Sequence, residues 1–364
     1  MDFILACTKC HEEEDNPAAF RCSGCGGILE VQYTSKGTLK SFGKGKINQD
    51  RYLQMLPIEK YAVREGGGGT PLLEIDEGFP GDARVLLKLE TKNPTNSFKD
   101  RGSVVEISRA VELGFRNVVC ASTGNMGMSV AYYAREAGLG ATVYMSKGGN
   151  KNKMQKIRGY GGTVVTVDGD FNDAMRLAER ESVAKSAFVC GDYHFRKEGQ
   201  KTLMFELVEQ LKGKSPDAVF LPVGNSTLLA AAYKALSELL YLNEMDRMPR
   251  LYAVQSEECA PLVKAYRTGK EISYERPNTV ADAIAVGYPT FGFEGIRGVK
   301  ETFGDAIAVP DRDILEAVKR LKVLGVGAEP GGAAAFAGLL SVIKNEQHLF
   351  DGKTVVVPVT GNNE

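Results

Sequence analysis

One lysine in this sequence stands where it could act as a nucleophile. It is Lys99, in the run Asn93-Pro94-Thr95-Asn96-Ser97-Phe98-Lys99-Asp100-Arg101-Gly102, which follows an apolar stretch at 85–90 that reads as a strand. Asn, Thr and Ser are cap and turn formers, so a helix should open at about Ser97 and hold Lys99 in its first turn, facing the carboxyl edge of a sheet. Backbone dipoles and partial burial there both favour the neutral, nucleophilic amine. Taken alone, such a lysine is an ordinary solvated residue. Three further turns argue otherwise: Ser122-Thr123-Gly124-Asn125 after a strand at 118–121, Gly224-Asn225-Ser226-Thr227 after a strand at 218–223, and Val359-Thr360-Gly361 ending a strand at 354–359. Short hydroxyl and amide side chains with glycine let backbone N–H groups reach a carboxylate or a phosphate at a helix N-terminus. Ligands collect at the carboxyl ends of strands in open α/β sheets, so four such turns together define a ligand site.

A second constellation lies at the start of the chain. Cys7-Thr8-Lys9-Cys10 and Cys22-Ser23-Gly24-Cys25 are two knuckles on a short, polar, turn-rich segment. Four thiolates from two such knuckles close a tetrahedral zinc site with no open position, which makes the metal structural. The plainer reading is a set of redox-active or free thiols. Other chemistries find no support. No Gly-x-Gly-x-x-Gly follows a strand, the glycines 66–69 precede Thr70-Pro71, and no phosphate loop ends in Gly-Lys-Ser/Thr. The three histidines, His11, His194 and His348, are scattered, which argues against a zinc hydrolase or a histidine-based triad.

These candidates need elements to position them. Strands are expected at 85–90, 118–121, 141–145, 163–167, 218–223, 251–254 and 354–359, and helices at 98–113, 126–136, 171–184, 199–211, 228–242, 314–324 and 333–344. Alternation of short β-branched runs with amphipathic ones is the mark of parallel strands joined by crossover helices. The fold class is therefore α/β. At 364 residues the chain suits two lobes, each a mostly parallel sheet flanked by helices, plus a small zinc-ribbon-like segment. The boundaries expected are 1–32 for the ribbon, 33–96 with 188–364 for a large domain, and 97–187 for a small mobile one, with a hinge near 43–50. Lysine and arginine number 45 against 46 acids, with no block of like charge, so no nucleic-acid partner is indicated. There is no signal-like start and no apolar run long enough for a bilayer, which points to a soluble cytoplasmic protein without a membrane partner.

The same segments resemble threonine synthase, among the fold-type-II pyridoxal-phosphate (PLP) enzymes of the tryptophan synthase beta superfamily, over nearly the whole chain. The resemblance rests on the cysteine pairs, Gly68-Gly69-Thr70-Pro71-Leu72, Lys88-Leu89-Glu90, the Lys99 segment and Ala121-Ser122-Thr123-Gly124-Asn125. It continues through Arg196-Lys197-Glu198-Gly199-Gln200-Lys201-Thr202, Pro222-Val223-Gly224-Asn225, residues 279–289, Glu329-Pro330 and Val359-Thr360-Gly361. It implies PLP as cofactor, with Lys99 forming the Schiff base and Asn125 meeting the phenolic oxygen. The turn Gly224, Asn225, Ser226 and Thr227 binds the cofactor phosphate, and Thr360 meets the pyridine nitrogen. A hydroxyl there makes the ring a milder electron sink, suited to eliminations and replacements. It further implies that Ser122, Thr123 and Asn125 hold the substrate, that Arg196 takes its phosphate through a guanidinium fork, and that the enzyme is a homodimer. The reaction implied is O-phosphohomoserine and water to threonine and phosphate. Three departures keep a related reaction open, a β-replacement or elimination on O-phosphoserine, serine or threonine. Cys190-Gly191 stands where the family usually has Asn-Ser, Met126 where it has Thr, and the Gly224 turn lacks a second small-residue-Gly-Asn step.

Overall fold

The β-branched runs become parallel strands and the amphipathic runs between them become helices, as the alternation requires. The computed structural model describes residues 3–34, 47–76, 79–122, 124–147 and 149–363. Two compact units emerge, Met1–Gly69 with Lys99–Thr202, and Thr70–Phe98 with Leu203–Glu364. Among the described residues, 33–34, 47–69 and 188–202 thus fold with the first unit, where the sequence reading had placed them in the large domain. The cause is local pairing: Phe188–Val189 extends the first unit's sheet beside Asn117–Ala121, and Gln49 donates to the Arg101 carbonyl at 2.7 Å. Of the expected hinge, residues 43–46 lie outside the described residues.

In the first unit four parallel strands run in the order Thr163–Val167, Gly140–Ser146, Asn117–Ala121, Phe188–Val189. The helices Lys99–Glu112, Asn125–Glu136, Lys151–Gly159 and Phe171–Ala184 connect or flank them. The cysteine segment forms a three-stranded antiparallel sheet with Phe3–Cys7 between Glu13–Glu14 and Leu29–Tyr33. It does not stand on its own: Leu5, Leu29 and Val31 are buried in one cluster with Val104, Ile107 and Val118. Apolar packing therefore supplements whatever a metal contributes.

In the second unit six strands run in the order Asp305–Val309, Arg250–Ser256, Ala218–Pro222, Thr354–Val359, Arg84–Leu89, Leu72–Ile75. All neighbours are parallel except the last pair, where Leu72 faces Lys88. The helix Pro330–Asn345 lies against the sheet so closely that a Cβ on Gly338 would sit 2.4 Å from Val254 Cγ2.

The sequence reading missed several elements. Gly292–Glu301 is a helix although Gly292, Gly295 and Gly298 read as breakers; all three are buried, and a Cβ on Gly298 would meet Tyr233 Cβ at 2.9 Å. The helix expected from 199 begins at His194 and runs to Gln210. Its charged residues Arg196, Lys197, Glu198, Lys201 and Glu206 are buried in ion pairs, so polarity gives no periodic signal there.

Candidate active site

In the first unit the helix opens at Lys99, whose side chain is 17% exposed with Nζ 3.8 Å from Asp192 Oδ1. Burial lowers the Lys99 pKa from the ordinary lysine value and the Asp192 carboxylate pulls it back up. Behind this pair lies a second. Arg196, fully buried, donates through Nη2 to Glu106 Oε2 and to Ser103 Oγ at 3.0 Å. Its Nε donates to the Gly191 carbonyl at 3.1 Å and its Nη1 to the Lys99 carbonyl at 3.2 Å. Glu106 also accepts the Gly191 N–H at 2.7 Å. Burial pushes its carboxyl up to about 7 against the pull of Arg196. Two glycines allow the helices to cross here: a Cβ on Gly102 would lie 2.6 Å from Arg196 Cγ, and one on Gly199 would lie 2.1 Å from the Arg101 carbonyl. Sequence reasoning assigned the Arg196 fork to a departing phosphate. In the structure every nitrogen of that fork donates to a group of its own unit. Asp192 and Glu106 went unnoticed because nothing in their local sequence distinguishes them from solvated acids.

The turn after Asn117–Ala121 is built as a cap. Ser122 Oγ accepts the N–H groups of Gly124 and Gly127, both at 2.8 Å, and so opens the helix Asn125–Glu136. Thr123 lies outside the described residues. Gly124 has φ 148°, and a Cβ there would meet Lys153 Cδ at 2.2 Å, so a buried lysine lies across the turn. Asn125 begins the helix and Met126 turns into the apolar core. Lys153 is a further residue the sequence reading passed over; its segment, 150–153, reads only as a polar helix start.

In the second unit the turn after Ala218–Pro222 leads into the 15-residue helix Thr227–Tyr241. Ser226 caps it in the left-handed region, φ 64° and ψ 6°, and gives no side-chain bond to the first turn. The first-turn N–H groups of a helix have no partner within it, so an anion at this end would meet donors the cap leaves unused. Ser226 Oγ is buried without a hydrogen-bond partner among the described residues, and lies where a Cβ on Gly295 would come within 2.1 Å. Asn225 is turned the other way: its Oδ1 accepts from the Thr290 N–H and hydroxyl, each at 3.2 Å. Gly224 is confined, since a Cβ would meet Ile284 Cα at 3.1 Å. Thr360 follows Thr354–Val359, and its carbonyl accepts the Phe98 N–H at 3.0 Å. Ser97 bridges Gly361, and Asn363 Nδ2 donates to the Thr95 carbonyl at 2.9 Å. These bonds pin the residues that immediately precede Lys99 in the chain.

The four cysteine sulfurs Cys7, Cys10, Cys22 and Cys25 lie within 4.8 Å of one another. Cys7–Cys25 and Cys10–Cys25 are 3.4 Å apart and Cys10–Cys22 3.7 Å. A tetrahedral thiolate site with metal–sulfur bonds of about 2.3 Å has edges of about 3.8 Å, so the cluster is close to the size needed to hold a metal ion.

The sequence pattern of the family described as "Pyridoxal-phosphate dependent enzyme" matches residues 63–361. Threonine synthase from Methanosarcina acetivorans is 35% identical over 352 residues, covering 94% of this chain and 87% of that protein. Threonine synthase from Mycobacterium tuberculosis is 36% identical over 300 residues, 81% of each. Among solved structures, an L-serine ammonia-lyase from Rhizomucor miehei superposes with TM-score 0.72 at 25% identity, covering 81% of this chain and 94% of that one. Maize serine racemase, at TM-score 0.69 and 22% identity over 81% of this chain and 88% of that one, shares the fold. No helix among the described residues is long and apolar enough to cross a membrane. With a family pattern spanning most of the chain and relatives of this closeness, the protein belongs to the pyridoxal-phosphate dependent enzymes, in their threonine-synthase-like branch.

Proposed function

We propose that the protein converts O-phosphohomoserine and water to threonine and phosphate. The observation that carries this is Lys99, a lysine at a helix start whose amine burial makes less basic, in a chain about a third identical to proteins named threonine synthase. The residues fit the cofactor: the uncapped first turn after Gly224 suits its phosphate, and the amine of Lys99 suits its aldehyde. Bound pyridoxal phosphate supplies the electron sink for negative charge developing at the substrate α-carbon. Lys99 would hold the cofactor, and its freed amine would take the proton at Cα and move protons at Cβ and Cγ. The C–O bond at Cγ breaks with loss of phosphate, and water adds at Cβ. The N–H groups after Gly224, with Asn225, Ser226 and Thr227, would hold the cofactor phosphate, Asn125 would meet its phenolic oxygen, and Thr360 would meet its ring nitrogen. Ser122 and Thr123 with Asn125 bind the substrate carboxylate. Arg196 takes part from behind, through the Lys99 carbonyl, and Lys153 brings a buried cation to the Ser122 turn.

One observation favours a second reading, elimination or replacement on O-phosphoserine, serine or threonine: Arg196 already faces the Glu106 carboxylate. Purified protein with pyridoxal phosphate should release phosphate and form threonine from O-phosphohomoserine. Turnover of only O-phosphoserine, serine or threonine in parallel assays would replace the first reading with the second.

The reading includes a structural zinc held by Cys7, Cys10, Cys22 and Cys25, and a cytoplasmic homodimer. One zinc per chain is expected on metal analysis. It should be lost in Cys7→Ser, together with protection of Leu5, Leu29 and Val31 from hydrogen exchange. Protein isolated without metal, or a Cys7→Ser variant with unchanged protection, would refute the zinc assignment.

A further inference from the structure

Asp192 has no role in the scheme above, yet its Oδ1 lies 3.8 Å from Lys99 Nζ, in an ion pair within the first unit. It follows the strand Phe188–Val189, two residues before the helix His194–Gln210. Its neighbours are pinned on both sides. Gly191 gives its N–H to Glu106 and its carbonyl accepts from Arg196 Nε and from the Tyr193 N–H at 2.7 Å, while the Tyr193 hydroxyl donates to Glu179 at 2.7 Å. The Asp192 side chain is 4% exposed, so its carboxylate is held in place with little water to screen it.

We propose that Asp192 is the proton-holding partner of Lys99, a carboxylate that sets the basicity of the Lys99 amine. The proposal rests on Lys99 being the cofactor lysine. Its logic is one of opposed demands. A buried lysine sheds its proton readily, which suits attack on an aldehyde but makes it a poor keeper of a proton taken from carbon. A carboxylate 3.8 Å away, at ion-pair distance, stabilises the ammonium once it forms. The charges acting on Lys99 in the first unit include Asp192, Arg196 from the His194 helix, and Glu106 from its own helix. Arg196 and Glu106 face each other and act on Lys99 in opposite directions, which leaves Asp192 as the largest charge acting against the burial of the amine. The thiols of Cys120 and Cys190 stay neutral in this layer because burial raises both.

The test uses the apoprotein first. Acetylation of Lys99 by acetic anhydride, followed across pH by mass spectrometry of its peptide, reports the midpoint of the amine without any cofactor. Asp192→Asn should lower that midpoint by one pH unit or more, a tenfold loss of basicity, and Asp192→Glu should stay within about half a unit of wild type. In protein loaded with pyridoxal phosphate, the pH midpoint of the visible absorbance should move in the same direction. An unchanged midpoint in Asp192→Asn, or a fall in Asp192→Glu as large as in Asp192→Asn, overturns the proposal. Wild-type protein that takes up no pyridoxal phosphate would instead sink the assignment of Lys99 as cofactor lysine, while the acetylation result still decides the pairing.

Discussion

Lys99→Ala is expected to abolish the yellow colour of protein incubated with pyridoxal phosphate and to lower kcat by on the order of 10³-fold or more, because in the proposed scheme one amine serves as covalent anchor and as base. The substitution should leave the fold intact. The fold uses the backbone of residue 99, whose carbonyl accepts Arg196 Nη1 at 3.2 Å, and the side chain is not part of an apolar core. Loss of activity with unchanged thermal unfolding is therefore the predicted pair of results. Activity within tenfold of wild type would place the chemistry elsewhere, and global unfolding would give Lys99 a structural role.

Arg196→Met should destabilise the first unit by about 3–5 kcal/mol, the usual cost of stranding one member of a buried ion pair. Glu106 would keep its carboxylate in a dry site with only the Gly191 N–H left to it, and the carbonyls of Gly191 and Lys99 and the Ser103 hydroxyl would each lose a donor. The sign with pH follows from Glu106. Burial raises its carboxyl to about 7 in the wild type, so ionising it costs stability as pH rises from the usual carboxylate range through about 7. Without the guanidinium the carboxyl titrates higher still, and the variant goes on losing stability above pH 7 where the wild type has levelled off. Urea melts should thus show a larger deficit at pH 8 than at pH 6. A deficit under about 1 kcal/mol at pH 8, or one that shrinks as pH rises, would show that Arg196 is not the counter-charge of Glu106.

These two outcomes concern residues of unequal legibility. Lys99 was readable because its signal is local: a helix start is decided by the few residues around it, and Thr95, Asn96 and Ser97 lie within that range. The same holds for the paired cysteine knuckles, whose spacing alone brings four sulfurs together, and for the Ser122 and Ser226 turns, each at a strand-to-helix junction. The alternation that called the fold class α/β is likewise a property of short windows. Helices built on glycine faces, or on charges buried in pairs, escaped it because their packing partners lie far along the chain.

By itself the sequence determined the α/β class, the helix that opens at Lys99, the pairing of the cysteine knuckles and the strand-to-helix turns, all through interactions between near neighbours. Only the tertiary structure decided what surrounds the lysine. Pairing of Phe188–Val189 beside Asn117–Ala121 carries Asp192 to Lys99 and Arg196 to Glu106, and the Gly124 turn lies beneath Lys153. Strand order is set by the burial of whole faces, which no short window records, and the pKa of a group follows from that burial. The candidate residues were therefore written locally, while their charged neighbours, Glu106 at Arg196 and Asp192 3.8 Å from Lys99, were settled by the fold.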